Sequence, residues 1–188
     1  VIQNIPKIKQ FIFNGHSGIV LGVDNSVYTW GRNTYGTVGI GNAYSQAYAE
    51  KLTVLGNNIV QIYDGSNTMY AKASNGTVFG WGTNSYGQAG IGSNGGIAKP
   101  KIIPGISDIL EISKVNSTSF APDTMGDMYG WGKNKYGQLG DGTTTTVLSP
   151  IIISQSYLTT SIGTGDLNSI VPIVGSINAL IISITHPA

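Results

Sequence analysis

"WGKNKYGQLGDG", residues 131–142, sets a tryptophan, a tyrosine and four glycines within twelve residues. Reading outward from it finds the same pattern twice more, as "WGRNTYGTVGIG" from Trp30 and "WGTNSYGQAGIG" from Trp81. The tryptophans are 51 and 50 positions apart, and upstream of them Ile12, Ile62 and Ile112 recur at a spacing of 50, a series that Ile162 continues. Gly15, Gly65 and Gly165 share a further column, with Val115 as its exception, so a fourth copy is expected in drifted form, with an aliphatic residue near Ile181 where its tryptophan would stand. A period of about 50 residues is the signature of a propeller or solenoid array.

Within each copy the local signals are those of β-structure. "KQFIFNG", "VQIYDG" and "LEISKV" are short runs rich in β-branched and aromatic residues, closed by polar or glycine turns. A second strand, a tight turn and the strand ending in the tryptophan follow. In the second copy the turn carries Asn75-Gly76, which predicts a two-residue hairpin with both central residues at positive φ. Asp24-Asn25 and Gly126-Asp127 stand at the same point in the other copies. A fourth strand is expected around "KLTVL", "KPKIIP" and "SPIII". The fold class is therefore all-β: a propeller of four-stranded blades, about four in this chain, over a single domain 1–188 with blades near 1–31, 32–82, 83–132 and 133–188.

The motif has a physical reading. Trp30, Trp81 and Trp131 end strands, where a large flat side chain can fill the wedge between blades, and all three are expected in equivalent inter-blade positions. Gly31, Gly82 and Gly132 let the chain turn after them. Asn33, Asn84 and Asn134 can bond the local backbone or adopt the left-handed conformation, while Tyr35, Tyr86 and Tyr136 cover the turn. The paired glycines at 39 and 41, 90 and 92, and 140 and 142 suit places where two chain segments approach closely.

The three copies resemble the regulator-of-chromosome-condensation repeat, whose consensus runs close to W-G-x-N-x-x-G-Q-L-G-x-G. The resemblance implies a β-propeller, usually seven-bladed, that serves as a protein-interaction platform. One member of that family exchanges guanine nucleotide on a small GTPase while bound to nucleosomes, and others are secreted inhibitors or scaffolds. A chromatin-bound exchange factor would carry basic nucleosome-facing segments and an acidic surface toward its GTPase. This chain has neither pattern, so exchange activity stands as the alternative reading.

Composition narrows the classes further. Only 10% of the 188 residues are charged, the net charge is +1, and cysteine is absent. Disulfides and thiolate catalysis are excluded, and without a block of Lys or Arg there is no footprint for neutralising many phosphates at once, so nucleic acid is excluded as a partner. The apolar run "IVPIVGSINALIISI" (170–184) is interrupted by Pro172, Gly175 and Asn178 and falls short of the roughly 20 residues of a spanning helix. It reads as a strand pair, and no membrane insertion is expected. Gly90, Gly92 and Gly95 match G-x-G-x-x-G spacing but lead to no helix that would hold a phosphate. His16 and Ser17 are neighbours on a strand and so point apart, and His186 lies in the terminal "THPA". Asp123 and Asp127 flank a turn, while Asp108 and Glu111 face opposite sides of a strand. The reading is of no catalytic residue, no metal site and no cofactor.

What remains is a surface. From Trp30 the first copy runs two residues longer to its next strand than the others do, and the longer segment reads "GNAYSQAYAE". Asn42, Tyr44, Gln46 and Tyr48 have the composition of a contact loop, with rigid rings for area and small polar groups for hydrogen bonds. The rings can equally pack on the blade edge. The function expected is a non-enzymatic interaction or structural module, extracellular, on a cell surface or in a virion, that binds a protein or carbohydrate partner. A cytoplasmic regulator of a small GTPase is the alternative. The chain starts within a linking strand and ends in a drifted copy, which reads as the C-terminal part of a larger propeller, completed by further blades or by self-association, rather than a ring closed by Val1–Ile5 against the last blade.

Overall fold

A computed structural model describes residues 5–154. The fourth-copy positions Ile162, Gly165 and Ile181, the strand pair at 170–184, His186 and all but Ile5 of the closing strand lie outside the described residues. Within them the chain forms three four-stranded antiparallel sheets, each in simple up-and-down order. The first holds β1 (Ile8–Phe13), β2 (Ser17–Gly22), β3 (Val27–Gly31) and β4 (Gln46–Lys51). The second holds β5 (Ile59–Asp64), β6 (Thr68–Ala73), β7 (Val78–Gly82) and β8 (Ile97–Ile102). The third holds β9 (Ser113–Val115), β10 (Thr118–Pro122), β11 (Met128–Gly132) and β12 (Val147–Ser154). The all-β blade architecture is as the sequence predicts; a single 3-10 turn at Thr53–Leu55 is the one helical element among the described residues.

Several local expectations are corrected. Boundaries at 31/32, 82/83 and 132/133 cut through the sheets, because each fourth strand follows its tryptophan and pairs back onto it. In the first copy that strand is "QAYAEK" rather than "KLTVL": Leu52 N still donates to Val27 O at its end, and the Leu52 and Leu55 side chains are buried in the core. "LEISKV" keeps only three strand residues, with Asp108 at φ 51 and Glu111 outside any strand, so the two carboxylates are not opposed across a sheet.

The hairpin turns also differ from expectation. Each is a four-residue turn closed by the fourth residue's N–H, Asn25 to Gly22 O, Gly76 to Ala73 O and Gly126 to Asp123 O, and only that fourth residue has positive φ. One residue more than a two-residue loop is accommodated, and Asn75 keeps an ordinary backbone while its Oδ1 accepts from Thr77 N at 3.1 Å. The glycine is still needed, one place later than a primed turn would put it.

The glycine after each tryptophan has a sharper cause. Opposite Trp30, Trp81 and Trp131 the fourth strand takes more residues than the tryptophan strand, from Gln46 to Glu50, Ile97 to Lys101 and Val147 to Ile151, so β4, β8 and β12 bulge there. Gly31, Gly82 and Gly132 follow at φ 100, 92 and 99, and a Cβ on any of them would collide with the carbonyl of His16, Asn67 or Ser117. No other residue fits there.

The core lies between sheets rather than within them. One buried cluster joins Ile19, Leu21, Val27, Leu52 and Leu55 of the first blade to Ile59, Ile62, Met69 and Trp81 of the second. The next joins Tyr70, Val78, Ile103 and Ile106 to Ile109, Ile112, Ala121 and Trp131. Hydrogen bonds cross the same seams: the Gln10 side chain donates to Ile62 O at 2.7 Å and accepts from Ile62 N at 3.0 Å, as a neighbouring strand would.

Candidate functional site

The antiparallel order places the long loops after the tryptophans, together with the turns between the first two strands, at one end of every sheet. The tight hairpin turns lie at the other end. The tryptophan end holds most of the sequence-predicted site residues, and its construction repeats.

Trp81 is fully buried and its Nε1 donates to Thr37 O at 2.9 Å, in the loop of the preceding blade. Trp131 does the same to Gln88 O at 2.7 Å. That carbonyl also receives Tyr70 Oη at 2.6 Å and Ser119 Oγ at 3.1 Å, so all three donors converge on one oxygen in a dry seam. Burial pushes the Tyr70 hydroxyl up, and burial, then Glu111, push Tyr63 up to about 12. Both stay protonated donors.

Trp30 departs from the expected equivalence. It is half-buried, stacked on Phe11 at 6.3 Å and 20°, with its ring over Gly18, because no described sheet faces the first blade on that side.

The asparagines pin the loops from beneath. Asn33, Asn84 and Asn134 are fully buried, and none takes the left-handed conformation. Each Oδ1 accepts from the residue five places on, Val38, Ala89 and Leu139, at 2.8, 2.8 and 2.9 Å. Each Nδ2 donates to the far side of its loop: Asn42 O and Tyr44 O, Ser93 O, and Thr143 O. A rigid rim results from one residue type in one column.

On that rim the first-copy loop stands clear of the core. Asn42 Oδ1 accepts from Tyr44 N at 2.9 Å and Gln46 Nε2 donates to Tyr44 O at 3.0 Å, while the rings of Tyr44 and Tyr48 are 77% and 81% exposed. They do not pack on the blade edge. Tyr35, Tyr86 and Tyr136, expected to cover their turns, are exposed as well, at 52%, 42% and 75%. Sequence reasoning missed these three as surface groups, although their fixed place five residues after each tryptophan was visible.

The cations near them were also missed. Lys133 Nζ lies 5.0 Å from the Tyr86 ring centre and 5.9 Å from that of Tyr136, bridging two blades, and Lys135 Nζ lies 5.7 Å from Tyr136. Between the first two blades a cleft of about 240 Å³ is lined by His16, Arg32, Thr34, Tyr35, Thr37 and Asn67. His16 is exposed while Ser17 is buried and donates to Arg32 O at 2.7 Å, so they form no nucleophile and base. Among the described residues no three His, Asp or Glu side chains gather to hold a metal, and no helix is long and apolar enough to cross a membrane.

The regulator of chromosome condensation (RCC1) repeat matches residues 24–71, 75–119 and 125–169. The chain is 34% identical over 90 residues to the human probable E3 ubiquitin-protein ligase HERC6, which covers 47% of this chain and 9% of the ligase. It is 35% identical over 77 residues to the ultraviolet-B receptor UVR8 of Arabidopsis thaliana, 40% of this chain and 18% of the receptor. Prp20p of Saccharomyces cerevisiae, whose structure was described with its binding to Gsp1p and histones, superposes at a TM-score of 0.69 with 18% identity, over 79% of this chain and 39% of that one. The chain thus spans less than a fifth of the length of these two curated relatives. The first two matches begin at a hairpin turn and end in the second strand of the next blade, so each of these sequence repeats staples two sheets together. With three consecutive matches over well more than half of its length, the chain belongs to the RCC1 repeat family.

Proposed function

We propose that this chain is a non-catalytic protein-binding platform whose working surface is the tryptophan end of the propeller. The observation that carries the reading is the rim itself: Tyr35, Tyr44, Tyr86 and Tyr136 stand exposed on loops that Asn33, Asn84 and Asn134 lock in place. Rings held on a rigid backbone lose little entropy when a partner covers them, which is what an interaction surface needs. Family membership supports a protein partner. Nothing in the comparisons speaks for a carbohydrate partner or for an extracellular, cell-surface or virion setting, and the proposal takes neither. Relatives named as ubiquitin ligases support the cytoplasmic placement held as the second reading.

A photo-crosslinking residue placed at Tyr44 or Tyr136 is expected to give a discrete protein adduct in the cell of origin, and one placed at Val23 or Met125 on the opposite end to give none. Adducts from the opposite end alone would overturn the assignment. Likeness to a Gsp1p-binding protein keeps the GTPase-regulator reading in view. Nucleotide release from a panel of small GTPases, accelerated by this chain, would put that reading first. We extend the proposal to the ring: the stacked Trp30 and Phe11 face is where a further blade or a second copy would seat, testable by sedimentation of the wild type against Trp30→Arg.

A further inference from the structure

The geometry points to an acidic, extended segment of a partner protein as the ligand of the tryptophan end. This rests on the platform reading and adds the chemistry of what binds. Three observations carry it.

The first is the tyrosine row. Tyr35, Tyr86 and Tyr136 occupy the same position in three successive blades and contribute nothing to either buried cluster, so core packing does not account for them. A row of rings on consecutive blades offers contact area to a chain running from blade to blade.

The second is the placement of charge. The carboxylates of the hairpin turns, Asp24, Asp123 and Asp127, and that of Asp108 lie at the opposite end. At the tryptophan end Asp141 is held below the usual carboxylate range by the Thr143 N–H, and Asn134 donates to it as well. Asp64 lies against Lys114, which donates to Gly65 O. Arg32, Lys133 and Lys135 are left as cations facing out among the tyrosines, with Lys133 set between two rings.

The third is the cleft. Arg32 Nε donates to Thr34 Oγ1 at 3.0 Å, which fixes the guanidinium at the mouth of the 240 Å³ space beside His16 and Asn67. A planar fork of donors held at the rim of a polar cleft suits a carboxylate. One acidic side chain at this seam and another at the Lys133–Lys135 seam define a segment with carboxylates spaced to match two neighbouring blades. Three cations are too few for nucleic acid, where binding proteins commonly make about 6–10 phosphate contacts.

The test is fluorescence anisotropy of a fluorescein-labelled decaglutamate peptide with the full chain. Saturable binding that weakens with salt is expected, about tenfold weaker in Lys133→Glu/Lys135→Glu and in Arg32→Glu, and unchanged in Lys101→Glu on β8. Circular dichroism melts of each variant separate lost binding from lost fold. Tyr86→Ala/Tyr136→Ala is expected to weaken binding with every charge intact. No saturable binding, equal loss in Lys101→Glu, or tighter binding of a labelled oligothymidylate would each overturn the inference. If crosslinks form at Tyr136 while decaglutamate fails to bind, the platform stands and its acidic ligand falls. If crosslinks form only at the opposite end, both fall.

Discussion

Trp81 and Trp30 open the same motif and have different surroundings. Trp81 is sealed between two sheets, with its indole N–H on a carbonyl of the neighbouring blade and Gly39 leaving room for its ring. Trp30 lies half-open on its own sheet, stacked against Phe11. The motif therefore encodes half of a joint. The other half is the loop of the blade before it, and where no described blade supplies that loop the ring settles on the nearest apolar surface.

The largest consequence is in stability. Trp81→Ala or Trp131→Ala is expected to cost about 3–5 kcal/mol, since each empties a buried wedge and removes the indole hydrogen bond to the preceding blade. Trp30→Ala is expected to cost only about 1–2 kcal/mol, on the scale of a partly exposed aromatic pair. Urea titrations of the three variants check the ordering. Equal losses at all three positions would mean that the first blade is sealed in solution as the others are.

A glycine pair sharpens the same comparison. Gly90 has φ 75, and a Cβ there would lie 2.9 Å from Trp131 Nε1, whereas Gly142 has φ 78 with nothing within 4 Å among the described residues. Gly142→Ala is expected to cost about 1–2 kcal/mol for its backbone conformation alone. Gly90→Ala carries that cost and forces the indole off Gln88 besides, so its midpoint should fall further. The difference between the two isolates the packing part of the joint.

How much of this was legible follows the same division. The blade, the period and the tryptophan wedge could be read because they are written within each copy, in residues that recur at a constant spacing. The pairing Trp81 to Thr37 and Trp131 to Gln88 could not, because a carbonyl acceptor leaves no trace in side-chain identity. The hairpin turn was misread because Asn75-Gly76 fits a two-residue and a longer loop alike, and only Gly76 needs positive φ. The first copy's fourth strand was shifted because "KLTVL" is apolar for the core's sake, where Leu52 and Leu55 are buried, and not for a ladder's. At the candidate site Tyr44 and Tyr48 were singled out by composition, but the hold of the buried Asn33 on the Tyr44 carbonyl could not be read there.

The seam between the second and third blades also sets a pH response. Tyr63 titrates at about 12 in the fold against 10 in an unfolded chain. Below pH 10 both states hold the proton and stability is flat in this group. As pH rises from 10 toward 12 the unfolded chain releases the proton first, so stability falls across that window. Thermal melts between pH 9 and about 11.5 are expected to show the decline, with a shallower slope in Tyr63→Phe. An identical slope would place the titrating group elsewhere.

The smallest expected effect is the most telling for function. Tyr44→Ala/Tyr48→Ala removes two rings that touch solvent, and the melting midpoint should move little, within the roughly ±0.5 kcal/mol usual for surface substitutions. Asn33→Ala removes the amide that holds Asn42 O, Tyr44 O and Val38 N, and should cost on the order of 1–3 kcal/mol for the buried groups left unpaired. If the rings are there to be met by a partner, the tyrosine variant keeps its fold and loses the crosslinked adduct, whereas the asparagine variant loses stability and adduct together. A tyrosine variant that melts as early as Asn33→Ala would show that the rings hold the loop, and the contact surface would then have to be sought among Tyr35, Tyr86 and Tyr136 alone.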